Sequence, residues 1–127
     1  MGSRALIAAA AAAALAWGTA APAGAQVSDR LYADFVAACV TGMGIEPGAQ
    51  EMDLTAVCTC VADTMIAQLS PEDAAAMLGA AAVTEPGGDF EGNLRAREGL
   101  DEAGMRALQE RAMPAVRAAD QRCLPRQ

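Results

Sequence analysis

The sequence predicts an all-α fold: one small domain of three to four helices, stapled by two disulfides. Three observations carry that prediction. Apolar residues recur at steps of three and four along several stretches, the period of a helix with one buried face. Residues that cap helices stand just ahead of those stretches. Four cysteines, Cys39, Cys58, Cys60 and Cys123, form an even set in a chain whose start reads as an export signal, and in an exported protein such a set reads as a disulfide framework.

Residues 1–25 have the features of a secretory signal. Arg4 supplies a short positive region, residues 5–17 are continuously apolar, and Ala23-Gly24-Ala25 is a small-x-small cleavage site, so the processed chain is expected to begin at Gln26 after cleavage at Ala25. The apolar run is too short to span a bilayer as a helix, which makes cleavage a better reading than a retained anchor. No cysteine follows the cleavage site and no twin arginine precedes it, so the expected route is general secretion of a protein without a lipid anchor. Residues 26–127 then make one domain, expected in the periplasm or secreted.

The first helix is expected over residues 29–41, with Ser28 as its cap. Leu31, Phe35 and Cys39 stack at intervals of four, and Gly42 and Gly44 are natural stops. Residues 43–52, with Pro47-Gly48, read as a connection short enough to make the first and second helices antiparallel neighbours. The second helix, residues 53–69, is the centre of the pattern. Asp53 is its cap, and Leu54, Cys58, Val61, Met65 and Leu69 draw the buried stripe, widened by Val57 and Ile66; Thr64 lies off its centre. Ser70-Pro71-Glu72-Asp73 starts a third helix that runs to about Val83, with a cap, a proline in the first turn and two acids where the helix dipole favours them. Glu85-Pro86-Gly87-Gly88 breaks it. Residues 89–99 are polar with two further glycines and read as a loop or a short irregular turn. Asp101 begins the last helix, whose stripe is Met105, Leu108, Ala112, Val116, Ala119 and Cys123. Pro114 interrupts it, and because proline lacks the N–H and crowds the preceding turn it should kink or split the helix; the stripe stays in phase across it, which favours a kink. Residues 124–127 read as a frayed tail.

The cysteine spacing restricts the pairing. Two helical residues two apart are rotated by roughly 200° about the axis, so Cys58 and Cys60 diverge and cannot readily bond each other. Each then needs a distant partner. Cys39–Cys58 with Cys60–Cys123 is preferred, because Cys39 and Cys58 both lie on core stripes of adjacent helices; Cys39–Cys60 with Cys58–Cys123 stays open. The core on offer is mostly Ala, Leu, Val and Met, with Tyr32, Phe35 and Phe90 as the aromatics of the processed chain. Such a core buries little area per residue, so staples worth about 3–4 kcal/mol each in the chain-entropy model matter more.

Composition excludes several functions. The chain has no His, which removes catalytic triads and most proton shuttles. The adjacent pairs Glu72-Asp73 and Asp101-Glu102 sit at helix starts and are accounted for there; Ser28 and Ser70 are caps. Gly87-Gly88 follows a helix and a proline and has no Lys, so it is not a phosphate loop. No catalytic residue, cofactor site or metal site is therefore assigned. Nine arginines are the whole basic complement against sixteen acids, a formal charge of −7, so nucleic acid and anionic membrane surfaces are not expected partners. The charge is uneven: residues 26–84 hold eight acids and Arg30 alone as a base. The sharper alternative to staples is that Cys58-x-Cys60 is a dithiol or a soft-metal site, since a thiol near a helix start is activated and methionine thioethers suit Cu(I). Against it, Met65, Met77 and Met105 fall at core spacing, and Met43 and Met52 stand singly in the connection.

Cys39, Cys58-x-Cys60 and Cys123, with Leu69-Ser70-Pro71-Glu72 following the Cys-x-Cys helix, resemble the pattern of small exported helical four-cysteine proteins of proteobacteria. The resemblance implies an envelope location and a helical disulfide fold, and it carries over no active site. A looser likeness to the small acidic periplasmic acid-stress chaperones is one of function by analogy. The expectation is a non-enzymatic protein that binds another envelope component. The alternatives are a thiol-redox or soft-metal protein and an acid-stress chaperone.

Overall fold

A computed structural model describes residues 27–124. The expected signal sequence, its expected cleavage site at Ala25/Gln26 and the last three residues of the tail lie outside the described residues. Within them the chain forms five α-helices: α1 Asp29–Gly44, α2 Leu54–Gln68, α3 Pro71–Val83, α4 Phe90–Glu98 and α5 Glu102–Cys123, with a short 3-10 turn Ala49–Glu51 between α1 and α2. The fold is all-α with two disulfides, and it has one helix more than the sequence suggested.

The helix starts follow the capping chemistry. Ser28, Asp53, Ser70 and Asp101 each accept a hydrogen bond from a first-turn N–H, of Leu31, Ala56, Asp73 and Gly104 respectively, at 2.7–3.1 Å. The additional helix, α4, obeys the same rule. The Asp89 carboxylate accepts from Gly92 N–H at 2.9 Å, and Gly99, at φ 62°, ends the helix in the left-handed conformation while Leu100 N–H bonds back to Arg95 C=O. Phe90 and Leu94, one turn apart, supply its apolar side, and Leu94 is only 2% exposed. The expected loop over residues 89–99 is thus a helix, because a capped start, a glycine stop and one anchoring leucine suffice once a neighbouring surface is present.

One boundary is corrected, and one of two alternatives is settled. The first helix does not stop at Thr41 but runs three residues further, to Gly44, which places Met43 on the helix and not in the connection. Pro114 does not split the last helix, which is continuous from Glu102 to Cys123. Its ring lies on the exposed side, with the buried Ala112 and Ala115 turned the other way, so the crowded turn faces solvent.

The helices touch in the order α4, α3, α1, α2, α5. The Cys39–Cys58 bond and the 2.9 Å hydrogen bond from the Tyr32 hydroxyl to Asp63 run α1 and α2 in opposite directions. Burial, and next the Asp63 carboxylate that accepts its proton, push the Tyr32 hydroxyl above its ordinary pKa. Side chains close the circuit. Arg111 of α5 makes a two-pronged ion pair with Asp73 of α3 at 2.8 and 3.1 Å, and Gln109 of α5 reaches Glu91 of α4. The helices therefore form a ring. Its core has two parts. Phe35, Ala62, Met65, Leu78 and Ala115 form the first. Ala76, Ala80, Leu94, Met105 and Leu108 form the second. Met77 packs against both.

Candidate site: an apolar pocket between two staples

The four cysteines tie together the helices that carry the site. Cys39 bonds Cys58 and Cys60 bonds Cys123, with no free cysteine among the described residues. Cys58 and Cys60 point to different neighbours, as two helical positions two apart must. Each sulfur of the Cys-x-Cys pair is bonded to a distant partner, so the pair presents no thiol while both bonds stand. Among the described residues no group of three His, Cys, Asp or Glu side chains converges as metal ligands.

Around these staples lies a pocket of about 490 Å³, within the usual range for small-molecule sites. All five helices line it. Phe35 and Met43 come from α1, Val61 and Met65 from α2, Met77, Leu78 and Ala81 from α3, Phe90 from the start of α4, and Val116 and Ala119 from α5. Leu124 stands at its edge. The polar contribution is one guanidinium and one carboxylate, Arg117 and Asp120, one turn apart on α5 and both exposed.

Most of the lining is large and apolar, and two alanines interrupt it. Ala81 and Ala119 are the lining positions where a larger side chain would reach inward. Among the described residues no buried side-chain nitrogen or oxygen lacks a hydrogen-bond partner. The wall therefore offers apolar contact and shape. Three of its members are methionines, whose unbranched thioethers adapt to the outline of what they touch.

The staples bear directly on two walls. Met43 Sδ lies 3.9 Å from Cys39 Sγ and 3.8 Å from Cys58 Sγ. Both cysteines are in a disulfide and have no S–H to donate, so these are sulfur–sulfur packing contacts. On the opposite wall, Cys60–Cys123 fixes the end of α5 that carries Val116, Arg117, Ala119 and Asp120. The Thr64 hydroxyl donates to Cys123 Sγ at 3.7 Å, which explains why Thr64 is buried although it lies off the apolar stripe. Ile66, placed on that stripe by its spacing, is 39% exposed, and Val116 is 40% exposed at the pocket edge.

The cysteines are legible in the sequence and the pocket is not. Its lining residues were individually visible as core candidates, but a cavity arises only where three or more helices meet around small residues. One local signal was present: Met43 follows Cys39 by four, so in a helix its thioether stacks beside that cysteine. No family model matches this chain, and no curated protein or solved structure is significantly similar to it.

Proposed function

We propose that the chain is a non-enzymatic binding protein of the periplasm or cell exterior, which takes an apolar part of another envelope component into the pocket between its two staples. Supporting an extracytoplasmic place are the two disulfides, which persist in oxidising compartments, together with the secretory features of residues 1–25. Among the described residues no helix is long and apolar enough to cross a membrane. The observation that carries the reading is the pocket itself: about 490 Å³, bounded by methionine, phenylalanine and aliphatic side chains, with polar groups only on α5.

The test is titration with an environment-sensitive apolar naphthylamine dye, and competition by candidate envelope amphiphiles. The expected result is saturable binding at one equivalent. Ala81→Trp, which fills the pocket from α3, should weaken binding at least tenfold while far-UV dichroism stays helical. Binding that Ala81→Trp leaves unchanged would remove the pocket from this role. The acid-stress chaperone reading requires more apolar surface at low pH than at neutral pH. Equal dye binding at both would exclude it.

A further inference from the structure

The two contacts of Met43 mark a second place where chemistry converges. Three sulfurs from two helices stand together: Cys39 and Met43, four apart on α1, and Cys58 on α2. Their juxtaposition depends on the last turn of α1. Had the helix ended at Thr41, Met43 would not stack beneath Cys39. We propose that Cys39, Cys58 and Met43 form a three-sulfur site for a monovalent soft cation of the Cu(I) type once a dithiol has reduced the Cys39–Cys58 bond.

The geometry suits such an ion. A metal–sulfur bond is about 2.3 Å, so three sulfurs placed around a trigonal ion stand about 4 Å from one another. Met43 Sδ already stands at 3.9 and 3.8 Å from the two cysteine sulfurs. Only the two cysteine sulfurs must separate, and breaking the bond between them allows that. Two thiolates and a thioether are a soft donor set, which selects Cu(I) over hard divalent ions. Met43 also lines the pocket. This site uses Cys39 and Cys58 and leaves Cys60 out, unlike a Cys58-x-Cys60 site.

The chemistry balances with a dithiol as reductant. One thiolate of the dithiol attacks Sγ of Cys39, the partly buried residue of the pair, since Cys58 is fully buried at 0% exposure. A mixed disulfide forms on Cys39 and Cys58 leaves as a thiolate. The second thiol of the reductant then attacks its own sulfur in the mixed disulfide and releases Cys39. The protein gains two electrons and two protons, and the dithiol becomes a cyclic disulfide. Binding of Cu(I) then displaces the two thiol protons.

The experiment uses the intact protein reduced with dithiothreitol under nitrogen and freed of excess reductant. Cu(I) is titrated in competition with a chromophoric Cu(I) chelator, and X-ray absorption counts the sulfur neighbours. The expected result is one equivalent bound with three sulfurs at about 2.3 Å. Met43→Leu should weaken that equivalent at least tenfold, and Met113→Leu, at an exposed methionine on α5, should not. Reduction also frees Cys60 and Cys123, so the titration is repeated in Cys60→Ser/Cys123→Ser, where only the proposed site has two thiols. Unchanged affinity in Met43→Leu, or two sulfur neighbours in both backgrounds, would overturn the proposal, and so would equally tight binding by oxidised protein. A reduced chain that unfolds would give the first of these results.

Discussion

The two halves of the helical ring are held by different means. On one side, α1, α2 and the end of α5 carry both disulfides and most of the pocket wall. On the other, α3, α4 and the start of α5 carry no cysteine, and Ala76, Ala80, Leu94, Met105 and Leu108 interlock there. The side that leaves a cavity open is the side that is bonded covalently. A pocket forgoes the contacts that would have filled it, and a disulfide restores stability by restricting the unfolded chain without occupying that space. The packed side needs no staple, because Leu94 and Leu108 fill its interior at 2% and 3% exposure.

Removing a staple should have the largest effect. In the chain-entropy model, Cys60→Ser/Cys123→Ser, which opens the loop spanning 63 residues of separation, lowers stability by about 4 kcal/mol. The 19-residue separation of Cys39–Cys58 makes the equivalent double change cost about 3 kcal/mol. Urea unfolding of both variants checks the order, and both should also lose dye binding. On the packed side, Leu94→Ala should cost roughly 3 kcal/mol, as expected for a buried leucine, and yet leave dye affinity within about twofold, since Leu94 does not line the pocket. If Leu94→Ala abolished binding, the two halves would not be separable in the way the packing indicates.

Smaller effects sharpen the same contrast. Asp89→Ala removes the cap of α4 and should lower the thermal midpoint by an amount matching about 1 kcal/mol. The smallest concerns pH. Hydrogen bonding from Arg111, reinforced by its charge, holds the Asp73 carboxyl below its ordinary value. The unfolded state then binds the proton more readily. The pair contributes stability above the ordinary aspartate pKa, and that contribution is lost as pH falls through the lower folded value. Asp73→Asn should therefore flatten the acid limb of a stability–pH profile as pH falls through and below the ordinary aspartate range. The effect should be modest because Arg111 is more than half exposed.

Much of the fold was legible in short-range chemistry. Ser28, Asp53, Ser70 and Asp101 announce helix starts because a cap needs only its own first turn. The divergence of Cys58 and Cys60 follows from helix geometry alone. The chain hid α4 because its interior is polar and Gly92 lowers its propensity, so the segment depends on the surface that receives Leu94. Its cap and stop, Asp89 and Gly99, were nonetheless in view. Thr64 read as a flank residue because nothing local says that Cys123 will lie beside it. The pocket was the least legible feature of all, since it is a property of how five helices close and not of any one of them.

The reach of the Cys60–Cys123 bond has a consequence for survival among proteases. Every peptide bond from Cys60, within α2, to Cys123 at the end of α5 lies inside one covalent ring, including those of the exposed Glu85-Pro86-Gly87-Gly88 segment. A protease that cuts this segment once would open the ring without releasing a fragment. The nicked molecule would migrate as a single species until reduced and as two pieces afterwards, and its helices would still be tied to their neighbours.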